Sequence, residues 1–301
     1  MTIVYRLSSI VYRLSSIVYR LSSIVYRLSS IVYRLPTTNH MNDLFPQTIE
    51  RIARWSEQPG VLGVVLVGSR SRTHADALSD DDLEVLLTDE AHASLSPAEC
   101  VDVLIEGEGE ARRIIYDAQY TTLTDLQRKA TSAIDLDRWP YERARVLFDR
   151  DGSVTPAVDA AGRMGADFRH KRLLHATIDT WIPPRRAAKT LKRGFEGASR
   201  LLVDRGARAL CRLVFALEWR WVPLDHWLEA EMRTLDDPEQ VAPLIIQALT
   251  TGDPTLITEG LDRLEERLAS EGVPHPKDRA NLFFELIHPS RAEERAIHGL
   301  S

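Results

Sequence analysis

The order of apolar and polar positions predicts two regions that are built differently. Between residues 61 and 148, apolar runs of strand length alternate with polar turns, and the most continuous run is Val61–Val67. Beyond about residue 156 the spacing becomes helical, with proline and glycine between the segments. The predicted strands are 61–67, 80–87, 101–106, 113–121 and 145–148, and the later predicted helices are 165–180, 185–203, 206–220, 224–234, 238–250, 254–270 and 278–288. The pattern therefore predicts an α+β protein, with a small mixed-sheet domain over 41–155 and an all-helical C-terminal domain over 156–301.

Two further helices are predicted beside the strands. Leu44, Ile49 and Ile52 keep helical spacing before the Pro59-Gly60 break. Thr124 and Gln127 have the spacing of a capping box, which predicts a short helix starting at Thr124.

The first forty residues differ from the rest because they repeat one heptapeptide. Ile-Val-Tyr-Arg-Leu-Ser-Ser begins at Ile3 and returns without change, and the fifth copy ends at Leu35. We interpret residues 1–40 as a tandem expansion that is disordered or a non-native extension, with the working protein starting at Met41. The alternative is a basic amphipathic segment that lies on a membrane or a partner. An arginine in every copy and the lack of an unbroken apolar core argue against a signal peptide.

The charge balance limits the classes of partner. The chain has 38 basic and 44 acidic residues and a net charge of −6; without the five arginines of the repeat, residues 41–301 carry −11. Such an acidic body argues against long nucleic acid as a partner. No apolar run approaches the roughly 20 residues of a membrane span. Two distant cysteines, Cys100 and Cys211, form no disulfide framework, so we expect a cytoplasmic protein; the residues do not indicate an oligomeric state.

The candidate chemistry begins where the first strand ends. Gly68 can bring backbone close to a ligand, and Ser69 is expected at or near a helix N-terminus, where free N–H groups favour phosphate. Arg70 and Arg72 follow directly and can reach phosphate oxygens. The Gly68–Arg72 segment therefore predicts a phosphate-binding bend.

Two carboxylates follow on the next predicted strand. Asp80 and Asp82 are two residues apart, so their side chains leave the same face of a strand. At 4 Å and an effective dielectric constant of about 20, two such charges repel by roughly 4 kcal/mol, and a divalent cation between them turns that repulsion into affinity. Hard oxygen ligands of this kind suit Mg²⁺. Asp81 is expected to point the other way, as an outlying charge.

These residues carry a resemblance to a known family. Gly68-Ser69, a gap of about ten residues and then Ser79-Asp80-x-Asp82-Leu83 resemble the signature of the polymerase-β-like nucleotidyltransferases. That superfamily includes aminoglycoside adenylyltransferases and minimal nucleotidyltransferases with helical HEPN partners. The resemblance covers residues 44–152. It implies transfer of a nucleoside monophosphate from a nucleotide triphosphate, AMP from ATP in our reading, to a hydroxyl-bearing acceptor, with two Mg²⁺ ions held by three carboxylates.

The helical half carries a second resemblance. Residues 221–227, Trp-Val-Pro-Leu-Asp-His-Trp, resemble an uncharacterised subgroup labelled DUF4037, in which a lysine stands at the place of His226. The resemblance implies no substrate.

The third carboxylate that the family uses lies on a later strand. Asp117 is our choice, with Asp102 and Glu106 on the preceding strand as alternatives; its role would be to bind metal or to accept the proton of the acceptor hydroxyl. Lys189 and Lys192 lie on a basic helical run that either clasps the triphosphate or forms a solvated face.

Rival interpretations remain open at this point. Asp149 and Asp151, in an Asp-x-Asp-Gly segment after an apolar strand, also fit the opening motif of haloacid-dehalogenase phosphatases, although a charged turn between strand and helix is favoured. The acceptor can be a small molecule or, as in antitoxin-type enzymes, a partner protein. A non-catalytic nucleotide-binding regulatory module is the alternative from a different functional class.

Overall fold

The computed structural model describes Met41 and residues 43–297. The interpretation of residues 1–40 therefore lies outside the described residues. Contacts divide the chain into Met1–Leu44 and Phe45–Ser301, and the elements below belong to the second unit. In the part of the chain that the structure describes, no helix has the length and apolarity needed to cross a bilayer.

A five-stranded mixed sheet forms the first part of this unit. In sheet order, β3 and β4 are followed by β2, β1 and β5. The β2 and β4 strands run parallel, and the other neighbours pair antiparallel. The strands are β1 (Val61–Leu66), β2 (Asp81–Leu87), β3 (Val101–Glu106), β4 (Arg113–Thr122) and β5 (Arg145–Asp149). The mixed sheet expected from the alternation is confirmed, with strand ends shifted by one residue.

Helices cover both faces of this sheet. On one face lies α1 (Pro46–Glu57), whose buried Trp55 donates from its indole N–H to the Tyr120 hydroxyl at 2.7 Å. Side chains alternate along a strand, so the residues beside Tyr120 in sequence face the other side. There Val65 and Leu86 pack with helices that follow β4 and β5. Those helices are α3 (Leu123–Lys129), α4 (Asp135–Glu142) and α5 (Val154–Gly162), while the short α2 (Asp89–Ala93) follows β2.

Helices alone follow residue 150 in the described chain. A large apolar core joins them, centred on α6 and α7, which pack along each other. The helices are α6 (Ala166–Lys192), α7 (Glu196–Leu217), α8 (Leu228–Met232), α9 (Ala242–Thr251), α10 (Pro254–Arg263), α11 (Glu265–Ser270), α12 (Arg279–Leu286) and α13 (Ala292–Ile297). The α+β class, a mixed sheet followed by a helical region, is confirmed, whereas the predicted domain boundary near residue 155 stays a prediction.

Several predicted helix boundaries are wrong. Pro183 and Pro184 are buried inside α6 and do not end it, because packing holds the helix through both rings. Gly206 lies inside α7, where an added Cβ would come within 3.1 Å of the Ile257 Cδ1 atom on α10. Glycine there permits close approach of two helices and is not a break. The hydroxyl of Thr122, not Thr124, caps α3 by accepting from the Asp125 N–H at 2.9 Å.

Candidate functional site

The bend after β1 is tighter than the sequence suggests. Gly68 has a φ of 67°, and Ser69–Ser71 forms one 3₁₀ turn that closes when the Arg72 N–H donates to the Ser69 carbonyl at 3.0 Å. Arg72 is extended, so no helix continues from the turn. Ser69 therefore lies at the start of a helix, as expected, but this helix is a single 3₁₀ turn, and no helix dipole of useful length points at this bend.

Gly68 makes room for a carboxylate of the protein itself. A Cβ atom at Gly68 would lie 1.9 Å from Oδ2 of Asp82, far inside van der Waals contact. The positive φ adds a second reason for glycine, since residues with a side chain rarely adopt it. The Asp82 side chain therefore packs directly against the backbone of the bend at Gly68.

Three carboxylates meet on one face of the sheet. Asp80 immediately precedes β2, and Asp82 lies within it on the face opposite to Asp81. Asp82 stands directly beside Asp117 in the register of the parallel β2–β4 pair, so the two side chains share that face. The residues proposed as alternatives face α1 on the other side: Asp102 pairs with Arg51 at 2.5 Å, and Glu106 accepts from Gln47 at 2.7 Å.

The three carboxylates Asp80, Asp82 and Asp117 carry negative charge that the described part of the protein does not neutralise. Burial, followed by repulsion from Asp80, Asp117 and Asp81, raises the pKa of Asp82 to about 7. Burial and the charge of Asp80 also raise the pKa of Asp117, whose Oδ1 atom is buried without a hydrogen-bond partner. Among the described residues, no lysine or arginine forms an ion pair with any of these three carboxylates.

The residues present fit a hard divalent cation. Within the described ranges, no three His, Cys, Asp or Glu side chains already stand at metal-holding distances. Magnesium, however, takes one or two carboxylates and completes its shell with water and substrate phosphates. The orphaned Asp117 oxygen and the unpaired carboxylates Asp80 and Asp82 offer the donor type that this ion prefers.

Asp81 differs from its two neighbours. It is 0% exposed, and its Oδ2 atom accepts a hydrogen bond from the Phe45 N–H at 3.0 Å. Its Oδ1 atom lies 3.4 Å from Nε of Arg70, which also donates to the Ser79 carbonyl at 3.1 Å. The expectation of an outlying charge is therefore wrong, because Asp81 binds the backbone at Phe45, just before α1, and the Arg70 side chain of the bend. The proposed contact of Arg70 with phosphate stays a prediction.

A pocket of about 280 Å³ opens beside two of the carboxylates. Its walls are formed by Ser69, Asp76, Leu78, Ser79, Asp80, Asp82, His226 and Trp227. The sequence placed Ser69, Asp80 and Asp82 together, but it gave no role to the aromatic wall; its one signal was the Trp221–Trp227 motif. Lys189 and Lys192 are exposed near the end of α6 and do not line this pocket. Their contact with the triphosphate stays a prediction.

The segment after β5 is a charged turn. The Asp149 carboxylate accepts hydrogen bonds from the N–H groups of Gly152 and Thr155, both at 2.9 Å, and from the Thr155 hydroxyl. Asp149 thus fixes the entry to α5, in agreement with the favoured interpretation and not with a phosphatase nucleophile.

Comparisons with known proteins find little. No family model matches the chain, and no curated protein matches it. A solved structure of a nucleotidyltransferase-like protein from Exiguobacterium sibiricum 255-15 is similar over 84% of this chain and 88% of that chain, with 18% identity and a TM-score of 0.43. A likeness at this level carries no argument about function, which is inferred below from the residues of the site.

Proposed function

We propose that the chain is a magnesium-dependent nucleotidyltransferase that moves a nucleoside monophosphate, AMP from ATP, to a hydroxyl of a small molecule or a protein. The observation that carries the proposal is the meeting of Asp80, Asp82 and Asp117 on one sheet face without a protein cation. The Gly68-Ser69 bend beside Asp82 supports it, as does the resemblance of the motif to polymerase-β-like nucleotidyltransferases.

Each residue has a role that follows from its position. Asp80 and Asp82 would hold the two metal ions, with Asp117 as the third carboxylate. Magnesium supplies charge neutralisation at the transferred phosphate and at the leaving pyrophosphate when it is bound. Ser69 lines the pocket, and its hydroxyl would donate to a phosphate oxygen. Asp117, with its raised pKa, is suited to accept the proton of the acceptor hydroxyl.

The third carboxylate favours catalysis over simple binding. A non-catalytic nucleotide-binding module needs two carboxylates for metal and a contact with phosphate. It does not need a third carboxylate on the neighbouring strand, in register with one of the first two. In this chain Asp117 lies there, with one buried oxygen unpaired. An antitoxin-type enzyme would use the same residues with a partner protein as acceptor.

The test is a labelled-transfer screen with the full chain. ATP labelled at the α-phosphate is offered with Mg²⁺ and separate pools of small hydroxyl compounds and proteins, and both pyrophosphate release and acceptor labelling are measured. We expect release that depends on Mg²⁺ and on one acceptor pool. Binding of ATP without pyrophosphate release in any pool would identify the regulatory module, and absence of ATP binding would overturn the proposal.

A further inference from the structure

The pocket has a second wall that the proposed chemistry does not use. The Trp227 indole lies against two imidazole rings, with centroid distances of 5.0 Å to His74 and 5.5 Å to His226. Both Trp227 and His226 line the pocket that also contains Asp82 and Ser69. An aromatic surface thus shares one cavity with the carboxylate pair.

A buried ion pair connects the helix after this aromatic wall to the bend that follows β1. Glu231 on α8 is 1% exposed and pairs with Arg72 at 2.9 Å, and Arg72 immediately follows the Ser69–Ser71 turn. Glu231 also pairs with Arg220, so it is held from both sides. The segment that carries Trp227 therefore has a fixed position relative to the bend, as a recognition surface requires.

The charge of the lining indicates what the wall receives. Among the residues that the structure describes, three aspartates and no lysine or arginine line the cavity, so its aromatic part offers no lysine or arginine to a phosphate. Flat aromatic rings favour another flat ring through stacking. Asp117 on β4 is not part of this lining, so the group that the proposed function assigns to the acceptor hydroxyl lies apart from the aromatic wall.

We infer that Trp227, assisted by His226, binds the nucleobase of the donor nucleotide by stacking. The inference rests on the proposed function, since it assigns the second half of the same site. Stacking of a base on an aromatic side chain contributes about 1–3 kcal/mol. Removal of the indole therefore weakens nucleotide binding from about 5-fold to about 150-fold.

The experiment compares two ligands that differ in the base. Dissociation constants of ATP and of inorganic tripolyphosphate, each with Mg²⁺, are measured by calorimetry for the wild type, Trp227→Leu and His226→Ala. Trp227→Leu keeps apolar packing, and His226 is exposed, so its truncation leaves the fold intact. Trp181→Leu is the matched control, because Trp181 packs on the helical core and does not line the pocket.

The outcomes separate the inference from the proposed function. We expect both pocket variants to bind ATP more weakly, Trp227→Leu the more so, while their affinity for tripolyphosphate and that of the control for both ligands stay unchanged. Unchanged ATP affinity in both pocket variants overturns the inference and leaves the transferase proposal standing. An equal loss for both ligands also overturns it, because the wall then serves the phosphates. A wild-type protein that does not bind ATP overturns both.

Discussion

Two clusters of charged side chains, one half-buried and one mostly buried, are built on opposite principles. The carboxylate cluster consists of Asp80, Asp82 and Asp117; burial and neighbouring carboxylates raise the pKa of Asp82 and of Asp117, and the three have no cationic partner among the described residues. The paired cluster consists of Arg72, Arg220, Glu142 and Glu231, two cations and two anions. Its ion pairs include Arg72–Glu231 at 2.9 Å and Arg220–Glu142 at 2.8 Å.

The difference teaches how to separate a site from a scaffold. Buried charge that is matched by the protein stabilises one arrangement and needs nothing from outside, whereas buried like charge destabilises the fold until a ligand of opposite sign binds. The paired cluster joins Arg72, at the end of the bend, to Glu231 on α8, and Asp82 of the carboxylate cluster packs against Gly68 in the same bend. The paired cluster therefore stabilises the bend against which the carboxylate cluster lies.

The largest expected effect tests the carboxylate cluster as a catalytic site. Asp82→Asn removes a metal-binding charge and should lower pyrophosphate release by about a thousandfold, which corresponds to about 4 kcal/mol, while the fold stays intact. The assay is pyrophosphate release with the acceptor pool that supports turnover. Asp262→Asn, an exposed aspartate on α10, is the control. Retention of a tenth of the activity by Asp82→Asn would contradict the assignment.

The next effect tests the paired cluster as scaffold. Glu231→Gln leaves Arg72 and Arg220 without their shared carboxylate and should lower the free energy of unfolding by about 3–5 kcal/mol, since one partner of a buried pair is lost. Urea unfolding measures it. The control is Asp225→Asn in the exposed Arg208–Asp225 pair, with side chains 56% and 72% exposed, where we expect at most about 1 kcal/mol. Equal losses in the two variants would show that the buried pair is not a scaffold.

A smaller effect tests the bend where the two clusters meet. Gly68→Ala places a side chain in the left-handed region, at a cost of about 1–2 kcal/mol, and pushes against Asp82. Gly194→Ala is the matched control, because Gly194 has a φ of 78° and an added Cβ there meets no atom within 4 Å. We expect a loss of unfolding free energy in both variants, larger in Gly68→Ala because of the added contact with Asp82, and a loss of activity in Gly68→Ala alone. Active Gly68→Ala protein would argue against the fitted contact.

The smallest effect is the pH dependence of stability in metal-free buffer. An aspartate whose pKa is raised on folding stabilises fully below its unfolded value of 3.8, and this contribution falls as the pH rises towards about 7. Asp82→Asn should therefore match the wild type near pH 4 and exceed it at pH 8, by on the order of 1 kcal/mol after screening. Melting curves at both pH values measure this. Added Mg²⁺ should restore the wild type and leave the variant unchanged.

Local pattern was sufficient for the strands and for the shared face of the carboxylates. Strand alternation is a property of neighbouring residues, so the spacing of Asp80 and Asp82 already placed them together, and the placement of Asp117 among the residues of β4 needed only the same rule. To exclude Asp102 as the third carboxylate, one further fact is needed, namely which face of the sheet α1 covers. Only the fold supplies that fact.

Features that depend on distant partners could not be predicted. Nothing near Asp81 in sequence shows that it anchors Phe45, and nothing near Glu231 shows that it meets Arg72. The aromatic wall has the same origin, since Trp227 reaches the pocket through packing of the helical region. The predicted break between helices 185–203 and 206–220 is wrong for a related reason, since a glycine at a helix contact, such as Gly206, and a glycine at a helix end look alike until the neighbouring helix is known.

The parallel pairing of β2 and β4 sets a rule for tolerated insertions. Residues 88–112 join β2 to β4 and include α2 and β3, so a change of length confined to the turns of this connection leaves the register of Asp82 with Asp117 in place. Inside β4 the situation is different, because one added or deleted residue before Asp117 inverts its parity and turns the carboxylate towards Trp55. Length can therefore change in the turns of this connection, whereas any insertion or deletion in β4 before Asp117 moves its carboxylate away from Asp82.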